Sequence, residues 1–349
     1  MDGKFKLGFF ESESWQEDFI KNKASQLGAK VDFYFFKEKL DCDLIESKPD
    51  LIKDLDLISV FICSKIDRKI LENFSGLKFI TTRSTGFDHI DLDACAQKSV
   101  VVSFVPHYGD NTVAEWTFGL ILNLARKIYL AIDQIKESGS YNLDNLQGQD
   151  IKNRTLGVIG TGRIGKEVIK IAKGFSMNVI AYDLYPDQAS AQTLGFSYRE
   201  KLEDVLAQAD IITLHAPLSE KTFHLINQAN IGLIKKGALI VNTARGALIE
   251  TDALVKALDE NIVAGAALDV LEEEGVVKDE MAILAFGHPE EHNLRVALED
   301  HLLMKMPNVL ITPHNAFNSK EALIRILQTT IDNIDAFIQG KPINIVPKK

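Results

Sequence analysis

A chain of 349 residues is long enough for about two domains at ~100 to 200 residues each, both with ample core. Hydrophobic residues make up 46% and charged residues 25%, a globular balance that excludes a disordered or collagen-like chain. The 39 basic and 49 acidic residues leave a net charge of −10 and form no basic run, so nucleic acid is excluded as a partner. Cys42, Cys63 and Cys95 are an odd number with no C-x-x-C, and no His pair lies near them at zinc-ligand spacing, so neither a disulfide framework nor a metal site is expected. The first residues turn acidic before any apolar signal region forms, and no apolar run nears the ~18 residues of a membrane span. A reducing, cytoplasmic setting without a membrane partner is the expectation.

Short β-branched or aromatic runs at 5–10, 31–36, 57–63, 77–81 and 100–104 alternate with amphipathic stretches, which predicts a parallel α/β unit. Residues 112–135 then open with Thr112-Val113-Ala114-Glu115, the T-x-x-E form of a capping box, and predict one long connecting helix. A second strand series follows at 156–160, 178–182, 210–214, 238–242, 263–268 and 309–312, so the fold class is α/β with two doubly wound parallel sheets. Leu323, Ile326, Ile331, Ile334 and Phe337 mark a closing helix over 321–340 that returns to the first domain.

The strand Leu156-Gly157-Val158-Ile159 runs into Gly160-Thr161-Gly162-Arg163-Ile164-Gly165 and a helical pattern. In that strand–turn–helix context Gly160 permits the tight turn, Gly162 lets backbone approach a pyrophosphate, and Gly165 lets helix pack on strand. The N–H groups at the helix start, including those of Arg163 and Ile164, face the anion. The next strand ends at Asp183, 18 residues past Gly165, near the ~20 expected for the carboxylate that binds the ribose hydroxyls. That carboxylate repels a 2′-phosphate, and neither Leu184 nor Tyr185 supplies an arginine, so NAD is preferred over NADP.

Ligands of open α/β sheets sit outside the carboxyl ends of the strands. The third strand of the second series leads to His215 and Pro217, the fourth to Thr243 and Arg245, the fifth to Asp269 and the sixth to His314. Arg245 offers a planar fork for a carboxylate and an adjacent carbonyl, and His314 exchanges a proton near neutral pH. A carboxylate that steadies such a histidine and favours its charged form is available in Glu272-Glu273-Glu274. His215 is at a strand end but has a bland reading as a residue flanking the cofactor. A nicotinamide site, a cationic fork and a proton donor together describe carbonyl/alcohol hydride transfer, with the cofactor carrying the hydride chemistry.

These residues resemble the D-isomer-specific 2-hydroxyacid dehydrogenase family over nearly the whole chain. Arg83-Ser84-Thr85-Gly86-Phe87-Asp88-His89-Ile90-Asp91 is similar to the family's substrate loop, and Asn111-Thr112-Val113-Ala114-Glu115 to the start of its interdomain helix. Asn242-Thr243-Ala244-Arg245-Gly246 resembles the segment with the substrate arginine, and Thr312-Pro313-His314 the one with the acid/base histidine. The resemblance implies that backbone amides at Ser84, Thr85 and Gly86 hold the substrate carboxylate, that Asp269 contacts the cofactor, and that Glu274, five residues on, partners His314. It implies a substrate domain of 1–108 and 318–349 with the Rossmann NAD domain, 109–317, inserted into it, and a homodimer.

Within the family the chain looks most like the D-lactate dehydrogenase branch, which reduces pyruvate, with Tyr108 and Phe317 at the substrate pocket. Cys63 stands where some of those enzymes have a pocket tyrosine, and Asn315 where they usually have threonine, so the size of the substrate side chain is open. Reductases for glyoxylate, hydroxypyruvate or bulky branched or aromatic 2-oxo acids, and corepressor-like NAD-sensing proteins on the same scaffold, are the alternatives.

Overall fold

Residues 4–23, 31–272 and 294–347 are described by the computed structural model. They divide into two compact units, Met1–Tyr108 with Ser319–Lys349, and Gly109–Asn318.

In the first unit β1 (Phe5–Phe9), β2 (Val31–Phe35), β3 (Leu57–Val60), β4 (Phe79–Thr82) and β5 (Val101–Ser103) form a parallel sheet in the order β2-β1-β3-β4-β5. That is the flavodoxin-like order, whose switch point lies between β1 and β3. Both β3 and β4 are buried along their whole length, as expected of parallel strands covered on both faces. The connecting helices are α1 (Ser14–Lys23), α2 (Cys42–Ser47), α3 (Pro49–Lys53), α4 (Arg68–Glu72) and α5 (Leu92–Gln97). Asp41, Asp67 and Asp91 cap α2, α4 and α5 by accepting from a backbone N–H three residues on. One sheet face packs Ile58, Val60 and Ile80 against these helices. The other packs Leu7, Phe9, Leu57 and Phe79 against Leu327, Ile331 and Ile334 of the last helix, Lys320–Ile338. Phe337 stacks on Phe79 with ring centroids 4.4 Å apart, so the closing helix does return to the first unit.

The second unit begins with α6 (Asp110–Arg126) and α7 (Ile128–Ser138). Its strands are β6 (Thr155–Ile159), β7 (Asn178–Tyr182), β8 (Ser197–Tyr198), β9 (Ile211–Leu214), β10 (Ala238–Asn242), β11 (Val263–Leu268) and β12 (Val309–Ile311). They pair in parallel in the order β12-β11-β10-β9-β6-β7-β8. Counted from β6, this is the Rossmann order with one strand added, and the switch point falls between β6 and β9. The helices α8 (Arg163–Gly174), α9 (Gln188–Leu194), α10 (Leu202–Gln208) and α11 (Thr251–Asp259) lie between strands. A methyl group on Gly157 would lie 2.6 Å from Val205 and 2.8 Å from Ala209, so glycine there lets α10 pack on β6.

Two expectations are corrected. The single helix over 112–135 is two helices, because Lys127 takes a left-handed φ of 52° and its N–H bonds back to the carbonyls of Asn123 and Leu124. This is a left-handed helix end with lysine in the place glycine usually takes. Nor is Thr112 the N-cap: α6 starts two residues earlier behind Gly109, without a side-chain cap, and Glu115 accepts from the Asn111 amide at 3.0 Å. The strand β8 has only two residues, too few for periodicity to register. Among the described residues no helix is long and apolar enough to cross a membrane.

Candidate active site

The glycine-rich turn joins β6 to α8 at the switch point of the second unit. Gly160 has φ 92°, and a Cβ there would lie 2.7 Å from the His215 carbonyl carbon. On Gly165 a Cβ would lie 2.1 Å from the Gly160 oxygen, whereas at Gly162 it would meet nothing within 4 Å. Gly160 and Gly165 are therefore required by the close packing of the turn, and Gly162 leaves its backbone approachable from outside. The N–H groups of Gly162, Arg163 and Ile164 have no acceptor among the described residues, and α8 has no side-chain cap. Unpaired donors at a helix N-terminus with the positive end of its dipole suit a pyrophosphate.

Asp183 follows β7, and its Oδ2 accepts from the Thr161 N–H at 2.6 Å and the Thr161 hydroxyl at 2.9 Å. The Tyr198 hydroxyl lies 2.6 Å from the same threonine oxygen. The carboxylate thus braces the glycine turn. Arg163 directs its side chain outward to Asp110 at 2.8 Å, so its contribution to an anion is its backbone N–H. His215, after β9, bonds Thr213 at 2.9 Å, and burial lowers its imidazole pKa to about 3. It is a neutral ring at physiological pH. Exposed Pro217 receives the Thr222 hydroxyl on its carbonyl at 2.6 Å. The Thr243 hydroxyl is buried against Thr117 of α6 at 2.9 Å.

Arg245, Asp269 and His314 follow the adjacent strands β10, β11 and β12. The turn carrying Arg245 is set by Asn242, 1% exposed, whose amide donates to the Arg245 carbonyl at 2.8 Å and accepts from the Ala244 N–H at 3.0 Å. The guanidinium bonds the Ala244 carbonyl at 2.7 Å. A Cβ on Gly246 would lie 2.1 Å from the Leu271 carbonyl carbon, so glycine there allows the segment after β11 to cross the Arg245 turn.

Asp269 is 1% exposed and receives the whole His314 turn. Its carboxylate accepts from the Thr312 hydroxyl at 2.5 Å and from the N–H groups of Asn315 and Ala316 at 2.9 and 2.8 Å, and its carbonyl from the His314 N–H at 2.9 Å. His314 itself has φ 50°, a left-handed conformation that a non-glycine residue holds only when its surroundings fix it. Phe317 stands edge-on to the imidazole, 6.5 Å between centroids. In the acidic run, Glu272 bonds the His224 Nε2 at 2.7 Å and the Thr251 hydroxyl at 2.8 Å. Glu273 and Glu274 lie outside the described residues.

In the first unit Ser84, Thr85 and Gly86 follow β4. Their shape is fixed from the side: the Ser84 hydroxyl donates to the Gly86 carbonyl at 2.5 Å, the Thr85 hydroxyl to the Val105 carbonyl at 2.9 Å, and the Ser84 carbonyl accepts from the Val105 N–H at 3.0 Å. The three N–H groups donate to nothing among the described residues. Tyr108 ends this part of the chain, its carbonyl accepting from Arg325 of the last helix at 2.7 Å.

A Rossmann sheet with its glycine turn, a carboxylate after the second strand, and a strand-end arginine and histidine points to a dinucleotide-dependent oxidoreductase. Residues 118–316 match the family described as D-isomer specific 2-hydroxyacid dehydrogenase, NAD binding domain. The chain is 37% identical over 326 residues to the aromatic 2-oxoacid reductase of Clostridium sporogenes, covering 92% of each. The D-lactate dehydrogenase of Aquifex aeolicus, solved with NAD and lactic acid, superposes with a TM-score of 0.82 at 31% identity, covering 98% of this chain and 100% of the other. The pyruvate reductase of Chlamydomonas reinhardtii superposes with a TM-score of 0.83 at 32% identity, covering 98% of each. The chain belongs to the D-isomer specific 2-hydroxyacid dehydrogenase family. It is an NAD-dependent enzyme of that family, and the open backbone at Gly162 with its unpaired N–H groups fits that cofactor.

Proposed function

We propose that the enzyme reduces pyruvate to D-lactate, reversibly, with NADH. The observation that carries a 2-oxo acid substrate is the trio of unpaired N–H groups at Ser84, Thr85 and Gly86, held in shape by the Ser84 and Thr85 hydroxyls and suited to one carboxylate. The choice of pyruvate is favoured by the likeness to the Aquifex aeolicus D-lactate dehydrogenase and the Chlamydomonas reinhardtii pyruvate reductase. Arg245 has the planar fork that suits a 2-oxo acid's carboxylate and adjacent carbonyl. Protonated His314 donates a proton to the carbonyl oxygen, and in the reverse direction the neutral ring removes it. Glu274 steadies the charged ring. The bound cofactor supplies the hydride. Tyr108 and Phe317 line the substrate side chain, and Gly160, Gly162, Arg163, Ile164, Asp183, His215, Pro217, Thr243 and Asp269 form the cofactor's surroundings. The substrate domain is 1–108 with 318–349, and the cofactor domain is 109–317.

A second reading, an aromatic 2-oxo acid as substrate, is favoured by the Clostridium sporogenes relative and by exposed Cys63, smaller than the tyrosine that some lactate enzymes carry there. Loss of NADH absorbance over a panel of pyruvate, glyoxylate, hydroxypyruvate, 4-methyl-2-oxopentanoate and phenylpyruvate decides between them. A kcat/KM for phenylpyruvate tenfold above that for pyruvate replaces the first reading with the second. No turnover of any of them removes both. We also infer a cytoplasmic homodimer. Support comes from Cys42, Cys63 and Cys95, which form no disulfide, and from Ile128, Ile132, Ile135, Tyr141 and Leu143, exposed on and just after α7, a patch that calls for a cover. Light scattering of the purified protein tests the assembly.

A further inference from the structure

Arg83, which opens the Ser84–Gly86 segment, is 2% exposed, so it cannot touch a substrate. Its guanidinium, carried at the end of β4, instead bonds β3 and the end of β1. It donates to the carbonyls of Phe10 and Glu11 after β1 at 2.6 and 3.0 Å, and to the Ser59 carbonyl and hydroxyl in β3 at 3.3 and 3.1 Å. The rings of Phe9 and Phe61 lie against it at 5.8 Å. Burial pulls this guanidinium down to about 10, opposed by Glu11, and it remains charged at neutral pH.

Glu11 continues the network. Its backbone is left-handed, φ 52°, a conformation that a non-glycine residue holds only where its surroundings fix it. That bend lets its carboxylate receive the loop after β3: the N–H groups of Phe61 and Cys63, both at 2.9 Å, and the Ser64 hydroxyl at 2.5 Å. Ser64 in turn accepts from the Leu40 N–H at 2.9 Å, which ties in the loop after β2. The carboxylate therefore joins the two loops that flank β1 and β3, the switch point of this sheet, where open α/β sheets hold their ligands. A buried cation and a neighbouring carboxylate, each spent on main-chain groups, make costly parts for mere stability, since apolar residues of similar volume stabilise as well or better.

We propose that Glu11 and Arg83 are positioning residues for the substrate carboxylate. They fix the β1, β3 and β4 ends to one another and so set the three N–H groups of Ser84, Thr85 and Gly86 at the spacing a carboxylate needs. This rests on the reading of those N–H groups given above. Glu11→Gln keeps the volume but turns an acceptor into a donor facing the main-chain N–H groups, and Arg83→Lys keeps the charge but loses the fork.

The experiment measures KM for the preferred 2-oxo acid, Ki for oxamate (an unreactive planar analogue carrying the same carboxylate), kcat, and Kd for NADH by fluorescence, in wild type, Glu11→Gln and Arg83→Lys. The expected result in at least Glu11→Gln is a rise of tenfold or more in KM and Ki, with kcat within threefold and NADH affinity within twofold. A purely structural role lowers thermal stability and leaves Ki unchanged in the folded enzyme, and that outcome overturns the proposal. If Arg83→Lys does not fold, Glu11→Gln decides alone. The underlying reading is tested separately by a crystal structure of the wild type with NADH and oxamate. A carboxylate away from the three N–H groups removes that reading, whereas a carboxylate on them together with unchanged Ki in the variants removes only the roles of Glu11 and Arg83.

Discussion

The carboxylate of Asp269 accepts the N–H of Ala316 at 2.8 Å, and the same residue's carbonyl accepts the N–H of His314 at 2.9 Å. One buried aspartate after β11 thus determines the path of the chain after β12, and with it the direction of the imidazole. Asp269→Asn keeps one oxygen for Thr312 and Asn315 but turns an amide N–H₂ towards the Ala316 N–H. Leaving that buried donor unpaired costs roughly 1–3 kcal/mol. We expect a lower denaturant midpoint and a kcat reduced by tenfold or more. A variant with wild-type kcat would show that the turn holds its shape without this carboxylate.

Much of this arrangement was legible in the sequence, because parallel strands are short apolar runs and their ends can be read from them. The Gly160–Gly165 turn, Asp183 and the residues after β10, β11 and β12 were reached in that way. What was not legible is which partner each side chain takes. That Asp183 serves Thr161, that Asn242 sets the Arg245 turn, and that Arg83 is spent on strand ends all depend on partners 3 to 73 positions away. A buried Asn beside a T-A-R-G turn was the available signal for Asn242, since Asn side chains bond nearby backbone in turns. Lys127 misled for a local reason: nothing in lysine's propensities marks a left-handed helix end, so periodicity ran across it.

Arg245→Lys conserves charge but not the fork, since an ammonium cannot bind a carboxylate and a carbonyl with one planar group. We expect kcat/KM for the preferred 2-oxo acid to fall 10²-fold or more, about 3 kcal/mol at a factor of ten per 1.36 kcal/mol. Retention of half the activity would exclude Arg245 as the substrate arginine.

Cofactor choice should turn on Asp183. Replacing it by Ser together with Leu184→Arg exchanges a repelling carboxylate for a phosphate-binding guanidinium and should shift preference from NADH towards NADPH. Because the same carboxylate holds Thr161 by two hydrogen bonds, the switch should also cost overall efficiency, with kcat/KM for both cofactors below the wild-type value for NADH. A wild type that already prefers NADPH would overturn the assignment.

His215 makes the stability depend on pH in a defined sense. Its folded pKa of about 3 lies below the ordinary 6.5, so between those values the unfolded chain binds a proton that the folded one refuses. The stability tied to its neutral form is complete above pH 6.5 and is lost as pH falls from there towards 3. In His215→Gln that loss should be absent, so the denaturant midpoint should fall less between pH 7.5 and pH 5 than in the wild type. Equal losses in the two proteins would mean that His215 is not the buried neutral ring.

The last prediction concerns Glu274 as partner of His314. Reduction of the 2-oxo acid needs an imidazolium, so its rate should fall as pH rises, while oxidation of the 2-hydroxy acid needs the neutral ring and should fall as pH drops. A carboxylate favours the charged ring, so Glu274→Gln should move both limbs to lower pH and leave NADH binding largely intact. Glu272→Gln serves as the comparison, and the structure gives it a definite expectation. Its carboxylate is committed to His224 and Thr251, so its loss should lower thermal stability without moving either limb. Profiles of kcat against pH for the three enzymes, read beside their melting temperatures, separate the two carboxylates. Limbs that stay in place in Glu274→Gln, or that move equally in Glu272→Gln, would take Glu274 out of the proton transfer.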